Sequence, residues 1–210
     1  DSDRIDLAIF SGAAASVADH PYQVHVALYV GVYKVSTCGG VLLTPIWVLT
    51  AAHCTYSKAF PEFQAKVGFG KTKVSDLTVD DLRESETVIK YQAFEEDMLQ
   101  NDVALIKLKS PVDMTRSGTL PIFDFEESLA GQRAYATGWG RLTTGGSASD
   151  SLRGTALVIE EACGSWANVV PNFDSRPVVC AGANSGASIC QGDSGGPLVV
   201  NRDGLLYLAG

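Results

Sequence analysis

Eight short runs of β-favouring residues constrain this chain most: Gln23 to Val30, Val41 to Thr50, Gln64 to Val67, Val103 to Leu108, Arg133 to Gly138, Ala156 to Ile159, Val178 to Ala181 and Pro197 to Val200. Each is strand-sized, and turns rich in Gly, Pro, Ser and Asp separate them. No stretch carries the apolar period of a long amphipathic helix. The expected fold class is therefore all-β. No internal repeat is visible, and the polar segment from Thr143 to Ser151 reads as a flexible surface loop.

At 210 residues the chain can form one large domain or two small ones, and 46% hydrophobic residues supply a sizeable core. With 24 acidic against 16 basic side chains, and no basic run to neutralise phosphates, nucleic acid is not an expected partner. The longest apolar stretches, such as Ile46 to Ala52, fall far short of the ~20 residues of a membrane helix, so a soluble chain with no membrane partner is expected. The charged opening Asp1-Ser2-Asp3-Arg4 is not a signal peptide, and the numbering is expected to begin after signal removal. Five cysteines without C-x-x-C spacing argue against a zinc cluster and for disulfides in an oxidising compartment, hence for secretion. No metal or cofactor is expected.

The heptapeptide Gln191-Gly192-Asp193-Ser194-Gly195-Gly196-Pro197 sets a serine among glycines directly beside an acid. Glycines let the backbone turn tightly and bring N–H groups toward a substrate carbonyl. A serine hydroxyl is a poor nucleophile until a base takes its proton, and imidazole is the side chain suited to that task. Ala51-Ala52-His53-Cys54 supplies a histidine upstream, and Asn101-Asp102-Val103-Ala104-Leu105-Ile106 supplies an acid between the two. Standing alone, Asp102 reads as a turn former beside Asn101.

The order His53, Asp102, Ser194 and the local sequences around them resemble the chymotrypsin-like, trypsin-fold serine peptidases. Pro21-Tyr22-Gln23-Val24, Cys38-Gly39-Gly40, Gly138-Trp139-Gly140 and Cys180-Ala181-Gly182 extend the resemblance from about Ile9 to Gly210. It implies two antiparallel β-barrels with the site at their interface, hydrolysing protein or peptide substrates through an acyl-enzyme. Residues 1–8 would be an activation segment, 9–113 the first barrel and 114–210 the second, crossed by a connector from Ser110 to Pro121. His53 would be the base, Asp102 its orienting acid and Ser194 the nucleophile, with the backbone N–H groups of Gly192 and Ser194 as the oxyanion hole. Ser188, Ile189 and Gln191 would lie in the primary pocket. Ser188 stands where an aspartate would select Arg or Lys, so uncharged side chains are expected there, and Ile189 narrows the pocket.

The resemblance also pairs Cys38 with Cys54 and Cys163 with Cys180. It leaves Cys190 without its partner, which the family carries past a Ser-Trp-Gly strand beyond Gly210. A second barrel incomplete at its C-terminus is therefore expected, the alternative being a free buried cysteine. Counting back from Pro21 places the family's activated N-terminus at Ile9, whose freed amine would pair with Asp193, so the chain reads as a zymogen. Ala8-Ile9 gives that register, while Arg4-Ile5 is the trypsin-like alternative. An activating protease and protein inhibitors are possible partners, and a monomer is expected. The rival reading is a catalytically inactive homologue that serves as a binding or regulatory module. His20 and His25 receive no role, Trp47 and Trp139 are read as packing residues. Asp76, Asp80, Asp81, Glu84 and Glu86 are read as a solvated acidic face rather than a calcium loop.

Overall fold

A computed structural model describes residues 12–58, 63–122, 128–143, 145–161, 163, 178–182 and 189–210. The described strands are β1 (Ala13–Ala14), β2 (Gln23–Val30), β3 (Tyr33–Thr44), β4 (Trp47–Thr50), β5 (Gln64–Gly68), β6 (Leu82–Lys90) and β7 (Ala104–Leu108), followed by β8 (Arg133–Gly138), β9 (Arg153–Ile159), β10 (Ala181–Gly182), β11 (Leu198–Arg202) and β12 (Leu205–Leu208). All named strand pairings are antiparallel. Strands β2 to β7 close into a barrel in the order β2-β3-β4-β7-β6-β5. The second sheet, β1-β9-β8-β11-β12 with β10 against β9, is not closed. The all-β expectation holds, with one closed barrel and one open sheet. The short β1 precedes the barrel in sequence yet pairs with β9 of the second sheet.

Period-two patterning builds the barrel core. Val24, Val26 and Leu28 alternate inward along β2 and are fully buried with Leu42, Val48, Val67 and Ile106. Burying a side chain of this kind stabilises the fold by about 1.5–3 kcal/mol. Leu129, Ala134, Ile159 and Val200 form the core of the second sheet. A third cluster joins the two: Tyr22 and Val41 from the barrel, Leu120 from the connector, and Val199 and Leu208 from the second sheet.

The structure revises several strand limits. The run from Val41 to Thr50 is two strands, because the chain turns at Pro45-Ile46, where Thr44 Oγ1 accepts the Trp47 N–H at 3.1 Å. Strand β3 begins at Tyr33, eight residues before the apolar run starts. Strand β6 is hidden by its charges: exposed Glu84 pairs with Lys109, just past the end of β7, at 2.8 Å, and exposed Glu86 pairs with Lys107 of β7 at 3.0 Å. In the segment from Val178 to Ala181 only Ala181 is strand, followed by Gly182.

Asp81 departs from the reading of a solvated acidic face. Asp76, Asp80, Glu84 and Glu86 are exposed, but Asp81 is buried. Its carboxylate accepts the Thr78 N–H at 2.9 Å and the Thr78 hydroxyl at 2.8 Å, and it pairs with the Arg116 guanidinium of the connector. Burial pushes the Asp81 pKa upward, yet Arg116 and the Thr78 donors outweigh it and hold the group down at about 2. The connector is thereby tied to the first barrel by a charge-assisted bond.

Three further bonds fix the barrel, the connector and the second sheet together. The Thr137 hydroxyl of β8 donates to Gln23 Oε1 of β2 at 2.6 Å, both side chains being buried. Leu208 N–H donates to Pro121 O at 2.8 Å, and Leu120 N–H donates to Leu42 O at 3.1 Å, so the connector bridges both.

Candidate active site

His53 sits in α1 (Ala52–Thr55), a single helical turn that follows β4. Ala52, Cys54 and Thr55 are buried, which turns the histidine outward. The disulfide Cys38–Cys54 anchors this turn to β3. Asp102 follows a loop in which Leu99 and Asn101 take left-handed φ values of 49° and 55°. Asn tolerates that conformation, and its side-chain amide donates to Ala93 O at 3.0 Å.

The Asp102 carboxylate grips His53 twice. Oδ1 accepts the His53 backbone N–H at 2.7 Å, and Oδ2 lies 2.6 Å from Nδ1 of the ring. A carboxylate at that distance keeps the ring proton on Nδ1 and leaves Nε2 as an acceptor. Asp102 thus holds the His53 ring in place, beyond the turn that Asn101 forms beside it.

Ser194 lies in the second of two successive turns, which are closed by Asp193 N–H to Cys190 O at 3.0 Å and Gly196 N–H to Asp193 O at 2.9 Å. Gly195 has φ +76°, and a Cβ there would stand 2.8 Å from both Ala51 N and Gly39 O, so conformation and space both demand glycine. The Gly39 N–H donates to Ser194 O at 2.8 Å, joining β3 to the serine turn. Cys54 Sγ lies 3.8 Å from both His53 Nε2 and Ser194 O. The histidine, the acid and the serine turn therefore meet around the Cys38–Cys54 bridge.

Asp193 points away from this site and is 6% exposed. Its Oδ1 accepts the Gly140 N–H at 2.7 Å and its Oδ2 the Cys190 N–H at 2.9 Å. Burial raises its pKa, and the two backbone donors offset only part of that rise. Among the described residues Asp193 has no cationic partner.

The remaining expected site residues divide. Gln191 and Ile189 are exposed beside the serine turn, and the Gln191 carbonyl accepts the Arg141 N–H at 2.9 Å. Ser188 and Ile9 lie outside the described residues, as does the segment before Ile9. Cys163 and Cys180 are bonded, and Cys190 is a half-buried free thiol. A cavity of about 560 Å³ beside Asp102 is lined by Tyr91, Leu99, Asp102, Val178, Gly195 and Gly210. Trp139 is buried and its indole N–H donates to Thr72 O at 2.9 Å, while Trp47 is half-buried. His20 bonds the Tyr22 hydroxyl at 2.9 Å and stacks on Tyr135, which makes it a packing residue. Three contributors were not legible beforehand. Thr50 secures Gly39 O through its hydroxyl at 2.8 Å, Gly140 cradles Asp193, and Gly39 reaches Ser194. Each contact has a backbone group on at least one side, and residue type does not reveal where such a group points.

The trypsin family profile matches residues 9–210. This chain belongs to the trypsin family. It is 37% identical to chymotrypsin-C of Rattus norvegicus over 170 residues, and 36% identical to chymotrypsin-C of Bos taurus over the same length. Those alignments cover 77% of this chain and 61% of each relative, so the chain spans about three fifths of the curated relatives it matches. Among the described residues no helix is long and apolar enough to cross a membrane.

One titration belongs to the face of β2 that packs toward this site. His25 is 8% exposed with its ring edge-on to Trp139, and burial, aided by the Lys34 charge, lowers its pKa to about 4. An unfolded histidine titrates near pH 6.5, so between those values the unfolded chain binds a proton that the folded one refuses. Stability conferred by neutral His25 is full above about pH 6.5 and declines as pH falls toward 4, by about 3 kcal/mol in all. Urea melts of a His25→Leu variant are expected to lose markedly less stability than wild type between pH 7 and pH 4. Equal losses in the two proteins would remove His25 from the acid response.

Proposed function

We propose that this protein is a secreted serine endopeptidase, and the observation that carries the reading is the double bond of Asp102 to His53 beside the Ser194 turn. In this reading Nε2 of His53 takes the Ser194 proton as Oγ attacks the scissile carbonyl. Asp102 holds the ring and stabilises the imidazolium that forms. The backbone N–H groups of Gly192 and Ser194 receive the developing oxyanion, donors whose loss elsewhere costs roughly 3–4 kcal/mol. His53 then returns the proton to the leaving amine, and a water repeats the cycle on the acyl-enzyme. Two disulfides support an oxidising, extracellular setting. Protein substrates, inhibitors of the same chemistry and a monomeric state complete the reading.

Ser194→Ala in the activated protein is expected to lower turnover by several orders of magnitude with an unchanged thermal transition. Labelling by a serine-directed phosphonate should disappear with it. Near-normal hydrolysis by the variant would refute Ser194 as the nucleophile, and a wild type that neither hydrolyses nor labels would return the chain to the class of inactive homologues.

Specificity in this proposal follows from Ser188, which offers a buried cation no carboxylate. Substrates with Phe, Tyr or Leu before the scissile bond should be cleaved faster than those with Arg or Lys, and a peptide series would measure it. Faster cleavage after Arg or Lys would refute the pocket assignment.

A zymogen form is proposed on the same footing, supported by the buried Asp193 carboxylate with no cation among the described residues. The amine freed at Ile9, by cleavage of Ala8-Ile9 in preference to Arg4-Ile5, would supply that cation and order the serine turn. The segment 1–8 is then an activation peptide, with 9–113 and 114–210 as the two structural halves. N-terminal sequencing alongside activity should find activity rising as Ile9 becomes the first residue. Full activity with Asp1 still attached would exclude it.

A further inference from the structure

We infer that Thr50 is a positioning residue of the acylation step, its hydroxyl fixing where the Ser194 turn stands relative to His53; this rests on the peptidase reading above. Thr50 ends β4, three residues before His53, and is 3% exposed. Across the sheet it stands opposite Ala104 of β7, two residues after Asp102. On its other side is the serine turn, so close that a Cβ on Gly195 would collide with Thr50 Oγ1. One buried side chain therefore borders the three segments that carry the histidine, the acid and the serine.

The hydroxyl donates to Gly39 O at 2.8 Å. Strand β3 pairs with β4 only from Val41 onward, which leaves Gly39 without a strand partner on that side. In an antiparallel ladder the N–H and C=O of one residue point to the same side. Gly39 directs both toward the serine turn: its N–H donates to Ser194 O at 2.8 Å, and its C=O accepts from Thr50. A Cβ on Gly39 would lie 2.8 Å from Gly196 Cα, and Gly195 faces Thr50. At this crossing neither β3 nor the serine turn carries a side chain that could set their separation; the Thr50 hydroxyl reaches in from β4 to do so.

Proton transfer from Ser194 Oγ to His53 Nε2 needs the two atoms within about 2.6–3.2 Å of each other. His53 is carried by the segment that leaves Thr50, and Ser194 by the turn whose carbonyl Gly39 holds. Without the hydroxyl, Gly39 O is left buried and short of a donor, and β3 shifts to find one. A misplacement of about 1 Å at a reacting pair costs on the order of 10²-fold in rate. Thr50 thus acts through Gly39 rather than on the reacting atoms.

The test compares the activated natural protein with Thr50→Val, Thr50→Ala and Thr50→Ser. The first replaces the hydroxyl with a methyl group, the second removes it without placing anything against Gly195, and the third keeps it. Rates on a peptide amide and a short ester are taken well below each protein's thermal transition, so that only folded protein is compared. In Thr50→Val and Thr50→Ala, kcat for the amide should fall about ten- to a hundred-fold while KM stays within about two-fold of wild type. Labelling by a serine-directed phosphonate should slow in the same proportion, and Thr50→Ser should restore both. Wild-type kcat in Thr50→Val or Thr50→Ala, a loss confined to KM, or a Thr50→Ser as slow as Thr50→Val would overturn the inference while leaving the peptidase reading intact. A wild type that hydrolyses neither substrate would overturn the peptidase reading itself, and the inference with it.

Discussion

Backbone meets backbone where the barrel touches the second sheet, and the rest of the site depends on that contact. A Cβ on Gly39 would lie 2.8 Å from Gly196 Cα, so neither strand β3 nor the serine turn has room for a side chain there. The closeness allows the Gly39 N–H to reach Ser194 O and the Thr50 hydroxyl to hold Gly39 O. His53 and Asp102 belong to one side of this seam and Ser194 to the other, so no single element can assemble the three. Buried polar pairing reinforces it, since the Thr137 to Gln23 bond crosses the same boundary in a place where an unpaired group would cost about 1–3 kcal/mol.

Charges in this molecule are used in two different environments. The pairs of Glu84 with Lys109 and Glu86 with Lys107 lie on the exposed face of the barrel, where each contributes little. Asp81 and Asp193 are buried, and each is surrounded by donors chosen for it: Thr78 and Arg116 for one, the Gly140 and Cys190 N–H groups for the other. Their pKa values move in opposite directions for that reason. Asp81 has a guanidinium beside it and is held low, whereas Asp193 has only amides among the described residues and is raised. Of the two, Asp193 is the carboxylate left in want of a cation.

What could be seen in the sequence was whatever depends on residue type. Alternating Val24, Val26 and Leu28 announced β2, and the Gly-Asp-Ser-Gly-Gly run, with His53 and Asp102 in their own motifs, pointed to the chemistry and to the family. What escaped depends on neighbours that the sequence does not name. Strand β6 reads Leu-Arg-Glu-Ser-Glu-Thr-Val-Ile-Lys, and its charges conceal a strand until β7 supplies the lysines opposite. Asp81 looked like any member of an acidic run, because its partner Arg116 comes from the distant connector. Gly39, Thr50 and Gly140 act through N–H, hydroxyl and carbonyl contacts whose aim only the fold defines.

The closed barrel is made of strands consecutive in the chain, from β2 at Gln23 to the end of β7 at Leu108, while β1 waits for β9 and the serine turn comes after Cys190. Chains fold during synthesis from their N-terminal units onward. On a ribosome, then, His53 and Asp102 can be seated in a finished barrel while Ser194 has yet to be translated.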